Sequence, residues 1–276
     1  MPLIEAPVAA SGGRETRRPP VSTPVWQVVV EPDGRAGAEN MAVDAGLLAE
    51  AARTGAAFLR LYRFAPPCLS FGRNEAALAT YDRAAIARSG IDVVRRPTGG
   101  GAVWHEQDLT YAVAAPIAAF GGLRRAYRAI HARLAEALAA LGAPVTLASE
   151  RSIPSVAARG APCFAVPAGG EVLVSGRKIV GSAQVRGGDA FLQHGSVLLA
   201  GSQDALAAFR LVVEGAPPSL ALRATSLAAA LGRVVTWVEV ARAVVAAWGA
   251  GATPVAVAPP PATREPFPDP AWTWRR

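Results

Sequence analysis

From Cys163 to Ser196 the chain reads CFAVPAGGEVLVSGRKIVGSAQVRGGDAFLQHGS, and no other stretch constrains the fold as much. Two apolar runs, Glu171 to Val174 and Lys178 to Arg186, lead through Gly187, Gly188 and Asp189 into a third run, Ala190 to Leu199. Apolar runs of strand length separated by glycine predict strands, and the last two predict a hairpin. Because side chains alternate along a strand, Leu192, His194, Ser196 and Leu198 share one face of it. His194 reads equally as a site residue and as a satisfied core histidine.

The same stretch holds Lys178, the only lysine in the chain; every other cationic side chain is arginine. An ammonium is compact, can lose its proton when partly buried and reaches a single atom, none of which a guanidinium does. Upstream lies Cys163, one of two cysteines, in a Pro- and Gly-rich segment that reads as a loop. A thiol within reach of a protonated amine is drawn toward the thiolate, so the pair reads as an activated nucleophile. The residues alone leave a second reading open, in which Cys163 is a small buried apolar side chain and Lys178 a trace of composition. Cys68, in the apolar run CLSF, reads as a core thiol.

With 276 residues, about half of them hydrophobic, the chain can bury a large core in one principal domain. Residues 1–23 lack any apolar period and are expected to be disordered; residues 24–252 form the domain, and 253–276 a Pro-rich tail in which Trp272 and Trp274 stand out. No apolar run is long enough to cross a membrane and no signal-like segment opens the chain, so the expectation is a cytoplasmic protein without a membrane partner. Two cysteines and three scattered histidines offer neither a disulfide framework nor a metal-ligand spacing. The net charge of +7 points to an acidic partner. The arginines form no tract and few aromatics interleave with them, which favours a protein over nucleic acid.

Along the chain, Val25 to Val30 predicts a strand, Glu39 to Arg53 a helix ending before Gly55, and Phe58 to Phe64 and Cys68 to Phe71 further strands. Residues 75–89 predict one helix capped by Gly90, followed by the strand Asp92 to Arg95. The run RRPTGGGAVWH comes next. Three consecutive glycines, Gly99, Gly100 and Gly101, let a ligand approach the main chain, with Arg96 and freed N–H groups facing an anion or a polarised carbonyl and Ala102 and His105 close by. A glycine-rich hairpin without a ligand fits the same letters. Leu109 to Ala115 continues the sheet, and Leu123 to Leu141 is the clearest amphipathic helix, with a structural His131 beside its apolar stripe. Asp204 to Val212 reads as helical, and Thr236 with Glu239 forms a capping box for a last helix.

RRPTGGGAVWH, GRKIVGSAQVR and LQHGS, in this order with strands between them, resemble the catalytic domain of the biotin/lipoate A/B protein ligases. NMAVD at 40–44 and LSFGRNE at 69–75 support it, so the likeness runs from about Trp26 to Gly249. It implies an α/β (α+β) fold, with a large mixed sheet, a smaller sheet and flanking helices. It also implies a substrate pocket at Arg96, Gly99, Gly100, Gly101, Ala102, His105, Gly181, Ser182, Ala183, Gln184, His194 and Gly195. The PCF loop is similar to that of the cysteine-dependent octanoyltransferases, in which the residues matching Cys163 and Lys178 are nucleophile and activating lysine. These take an octanoyl group from acyl carrier protein and pass it to a lipoyl-domain protein, such as glycine cleavage H protein or a dehydrogenase E2, without a cofactor. The lipoate ligases of the superfamily use ATP instead, and a related amidotransferase class moves octanoyl between two lipoyl proteins. Where the family usually has a tyrosine after the PCF loop, this chain has Gly169 and Gly170.

Overall fold

The computed structural model describes residues 25–149, 164, 169–211, 223–249, 252–254 and 266–276. Cys163 and the segment 1–23 lie outside the described residues. The main sheet is built from β1 (Trp26–Val30), β2 (Ala57–Tyr62), β6 (Asp108–Pro116), β10 (Val180–Gly187), β11 (Ala190–Leu198) and β12 (Ala252–Pro254), in the order β10-β11-β6-β2-β1-β12. It is mixed: β12 and β2 run parallel to β1, and the remaining neighbours are antiparallel. The expected hairpin is β10-β11, with Gly187 opposite Ala190 and Gly188 at φ +60° in the turn.

Both faces of this sheet are covered, which is why its central strands β2 and β6 are buried nearly end to end. Alternation sends Leu59, Leu61, Tyr111 and Val113 to one face, where α4 (Leu123–Ala140) and α6 (Trp237–Ala247) supply Ile130, Leu134, Leu138, Val240 and Val244. Phe58, Tyr62, Ala112, Ala114 and Leu192 go to the other, against Met41, Val43 and Leu47 of α1 (Gly37–Thr54). The Gly55 terminus of α1 and the Thr236 cap of α6, whose hydroxyl accepts from Glu239 N, are as the sequence predicts.

A second sheet joins β4 (Asp92–Arg95), β3 (Cys68–Phe71) and β5 (Val103–His105). A third, β7 (Val145–Leu147), β8 (Val172–Val174) and β9 (Arg177–Lys178), was not foreseen, and it divides the run 178–186 at Ile179. The helix predicted over 75–89 is two, α2 (Ala77–Thr80) and α3 (Arg83–Ser89). Tyr81 is extended between them, its hydroxyl donating to Glu75 Oε1 at 3.1 Å, and Asp82 restarts the helix by accepting from Ala85 N. The segment predicted as helix from Asp204 is a 3-10 helix, Gln203–Phe209.

Residues 266–276 pack on the body of the protein. β12 straddles the expected 252/253 boundary, and the short helix α5 (Leu227–Leu231) and the final turn α7 (Pro270–Thr273) complete the elements. Arg95, fully buried, donates to the Trp272 and Thr273 carbonyls on one side and to those of Gly72 and Glu75 on the other, while Trp272 Nε1 donates back to Arg95 O. Trp274 packs edge-on against Phe71 at 5.3 Å.

Candidate active site

The glycine turn between β4 and β5 is held from below by Arg96. Its Nη1 donates to Ser70 O at 2.6 Å and Ser70 Oγ at 2.7 Å, and its Nη2 to the carbonyls of Gly99 (3.2 Å) and Gly101 (2.9 Å). Arg96 therefore shapes the turn, and its terminal nitrogens face chain oxygens where the sequence reading had an anion. Gly100 takes φ +88°, and a Cβ on Gly72 would collide with the Gly100 carbonyl oxygen, so LSFGRNE and the glycine turn need each other's glycines.

Two buried histidines stand between a carboxylate and a hydroxyl. His194 faces Asp44 Oδ2 at 2.9 Å through Nδ1 and Thr98 Oγ1 at 2.6 Å through Nε2. Burial pushes its pKa down, against the opposing pull of Asp44. The neutral ring then donates from Nδ1 to Asp44 and accepts the Thr98 hydroxyl proton. Asp44 also accepts from Arg60 Nη1 (2.9 Å) and Tyr62 OH (2.8 Å), and Asn40, one helical turn earlier, accepts from Arg60 Nη2 (2.7 Å). Arg60, predicted only as part of an alternating strand, is a fully buried ion-pair partner. His105 lies between Asp108 Oδ2 and Ser70 Oγ, each at 2.8 Å. Burial raises the Asp108 carboxyl, but His105 and the hydroxyls of Ser196 and Thr110 outweigh it and hold the group below the ordinary carboxylate range.

Lys178, at the end of β9, is 2% exposed, and its Nζ pairs with Glu171 Oε1 at 2.7 Å. The same oxygen accepts from Tyr127 OH at 3.0 Å. Nζ also lies 5.5 Å from the ring centre of Phe164. That ring presses on Gly181, where a Cβ would come within 2.8 Å of it, so the first glycine of GSAQ is required by packing. His131 is buried, as expected of a structural residue, and desolvation together with the nearby Lys178 charge lowers its pKa to about 3. A neutral His131 donates from Nδ1 to Tyr127 O (2.9 Å) and accepts the Ser182 hydroxyl proton at Nε2 (2.9 Å). This fixes the direction of a chain in which Gln184 donates to Gln193, Gln193 to Tyr111, Tyr111 to Ser182 and Ser182 to His131.

The two histidine–carboxylate networks and Ser182 border an open cleft, which Lys178 and Glu171 do not line. Of the residues named from sequence, Arg96, His105, Gly181, Ser182, Ala183, His194 and Gly195 border it. Gly99, Gly100, Gly101 and Ala102 form the turn above Arg96 and do not, and Gln184 is turned toward Leu123 O and Gln193. Its apolar walls, Met41, Tyr62, Phe64 and Val103, were missed, since nothing distinguishes them from core in a linear reading. Asp44, Asp108 and Glu171 were missed as well; for Asp44 the signal was present, a polar pair at i and i+4 inside an Ala- and Leu-rich helix. Cys68 is fully buried, as expected, and its thiol is pushed well above the usual range by desolvation.

Residues 36–249 match the lipoyl protein ligase A/B catalytic domain. Octanoyltransferase LipM of Symbiobacterium thermophilum is 37% identical over 220 residues, 74% of this chain and 78% of that protein. Octanoyltransferase LipM of Carboxydothermus hydrogenoformans is 41% identical over 167 residues, 59% of this chain and 61% of that protein, so the match spans about three fifths of this second relative. A crystal structure of lipoate-protein ligase A bound with ATP shares the fold, with TM-score 0.64 at 21% identity, covering 83% of this chain and 85% of that one. With the family's domain matched over residues 36–249, most of this chain, the chain belongs to the lipoyl protein ligase A/B catalytic domain family.

Proposed function

We propose that this protein is an octanoyltransferase of protein lipoylation that works through a cysteine thioester. The thiolate of Cys163 attacks the octanoyl thioester of acyl carrier protein, and the tetrahedral intermediate expels the carrier's thiolate. The amine of a lipoyl-domain lysine, on glycine cleavage H protein or a dehydrogenase E2, then attacks the acyl-enzyme. It loses one proton and expels the Cys163 thiolate, leaving an amide. A thiolate serves both steps because it is a good nucleophile and a good leaving group.

The observation that carries this reading is the burial of the only lysine at 5.5 Å from Phe164, the residue that follows Cys163 in the chain. A fixed ammonium there favours the thiolate and, later, the oxyanion. The names of the two LipM relatives support the activity. The cleft supports it too, since apolar side chains wall one part and histidine networks the other. A net charge of +7 suits acidic carrier domains, and a reducing compartment such as the cytoplasm keeps the thiol free.

The test is transfer from octanoyl-acyl carrier protein to a purified lipoyl domain without nucleotide. The expected result is an octanoyl amide on the target lysine with the native protein and none with Cys163→Ser. A requirement for ATP and free octanoate would make the protein a ligase. Transfer only from an octanoylated lipoyl protein would make it an amidotransferase.

A further inference from the structure

Four exposed arginines gather where the C-terminal turn meets the segment after β3, and the acyl-transfer chemistry uses none of them: Arg73, Arg83, Arg275 and Arg276. Bonds to the main chain hold them together, because Arg275 Nη2 donates to Arg73 O at 2.5 Å and Leu78 N donates to Arg276 O at 2.7 Å. The Arg275 guanidinium lies 3.8 Å from the Trp272 ring centre and that of Arg83 lies 5.4 Å from the Trp274 ring centre, with buried Arg95 bonded to the same turn. Among the described residues, none of the four is in an ion pair. The carboxylates carried by the same segments accept from main-chain N–H groups: Glu75 from Gly72, Asp82 from Ala85 and Asp269 from Ala271. Burial, and after it the like charges of Arg73 and Arg276, lower the Arg275 pKa. Beside Arg276, the Leu78 side chain is 51% exposed.

A cluster of like charges without carboxylate partners repels itself and attracts an acidic protein. We propose that Arg73, Arg83, Arg275 and Arg276, with Leu78 beside them, form the docking surface for acyl carrier protein, the acidic donor of the acyl group; the inference rests on the acyl-transfer reading. The patch adjoins the cleft without lining it. Arg73 N donates to Thr98 O at 2.7 Å, and Thr98 shares a hydrogen bond with His194, which borders the cleft. A donor that carries its thioester on a long arm seats its body on this corner and passes the arm over the glycine turn. An acceptor lysine is a short side chain and must bring its own domain to the cleft, so the position favours the donor over the lipoyl domain. Exposed Leu78 gives a protein helix an apolar contact among the charges. The tryptophan faces are already covered, Trp272 by Arg275 and Trp274 by Arg83 and Phe71, which leaves no ring for a nucleic-acid base to stack on.

The experiment compares two donors on the full-length protein, octanoyl-acyl carrier protein and octanoyl N-acetylcysteamine thioester, which brings the same acyl group without a carrier. Acyl-enzyme formation is followed by intact mass. Arg73→Glu and Arg276→Glu are each expected to slow acylation by limiting carrier donor about tenfold relative to the small thioester, and added salt is expected to shrink that difference. Arg242→Glu makes the same charge change at an exposed site on α6, which packs in a different core from Trp274, and is expected to keep the native ratio. An equal loss with Arg242→Glu assigns the effect to net charge and overturns the patch. An unchanged ratio in Arg73→Glu and Arg276→Glu overturns it too, as does a loss confined to transfer onto the lipoyl domain. Fluorescence anisotropy of labelled holo-acyl carrier protein tests the surface without chemistry: Arg73→Glu is expected to weaken binding about tenfold, and an unchanged affinity refutes the proposal. Weakened binding of labelled oligo(dT) with carrier binding intact gives the surface to nucleic acid instead. No acyl-enzyme from either donor with the native protein refutes the acyl-transfer reading, and the anisotropy still judges the patch.

Discussion

Asp44 accepts from three donors in a fully buried place, Arg60 Nη1 at 2.9 Å, Tyr62 OH at 2.8 Å and His194 Nδ1 at 2.9 Å, so Asp44→Asn tests how the cleft is held. The amide keeps the shape but removes the charge and turns an NH₂ toward at least one donor. Hydrogen bonds to charged groups contribute about 1.5–3 kcal/mol each, and one acceptor oxygen survives. Arg60 retains Glu31 at 2.6 Å and Asn40, which limits the damage to its charge. His194 can also adapt: with the other tautomer it accepts from the new amide and donates to Thr98. The net loss is then about 3 kcal/mol, equivalent to roughly 6–12 °C in Tm for a chain of this size. The denaturant midpoint of Asp44→Asn, beside Tyr62→Phe, measures it; Tyr62→Phe removes one bond and no charge and should lose about half as much. A loss under about 1 kcal/mol for Asp44→Asn would refute the view that this carboxylate ties α1, β2 and β11 together.

Gly195→Ala places a Cβ against the Gly181 carbonyl oxygen and the Ser182 hydroxyl, so it should displace β10 from β11, destabilise by about 1–3 kcal/mol and abolish acylation; an active, equally stable variant contradicts this. His131 titrates near 6.5 when unfolded and near 3 when folded, so the unfolded chain binds the proton first and stability falls as pH drops through 6.5 toward 3. Its share is roughly 1.4 kcal/mol per pH unit in that window, and His131→Asn should flatten the pH dependence of the denaturant midpoint there. Trp274→Ala should cost about 3 kcal/mol through lost packing on Phe71 and should reduce acyl-enzyme formation, because Arg95 links the same C-terminal turn to Gly72 and the glycine turn; unfolding and acylation assays read the two effects separately.

Much of the site was legible because its backbone demands glycine. Gly72, Gly100, Gly181 and Gly195 stand where a Cβ would meet backbone or ring atoms or where φ is positive, and such positions mark themselves in a sequence. The hairpin and the amphipathic α4 were legible for the same kind of local reason, a turn and a period. The long-range partners of two carboxylates were not, since Asp44 meets His194 across 150 positions and Glu171 meets Tyr127 across 44, and no local pattern encodes which residues meet at such separations. The break at Tyr81 escaped notice because it depends on pairing with the distant residues 209–211, where Asp82 N donates to Phe209 O and Leu211 N to Thr80 O, which outweighs the helical propensity of an Ala-rich run. The docking of Trp272 and Trp274 likewise required knowing that Arg95 is buried beneath them.

The central claim is that Cys163 carries the acyl group, and intact mass of the protein after mixing with octanoyl-acyl carrier protein, without ATP or acceptor, tests it most directly. The account predicts a gain of one octanoyl group that hydroxylamine removes and that Cys163→Ser lacks. An unmodified native protein, or an adduct that survives in Cys163→Ser, would contradict it.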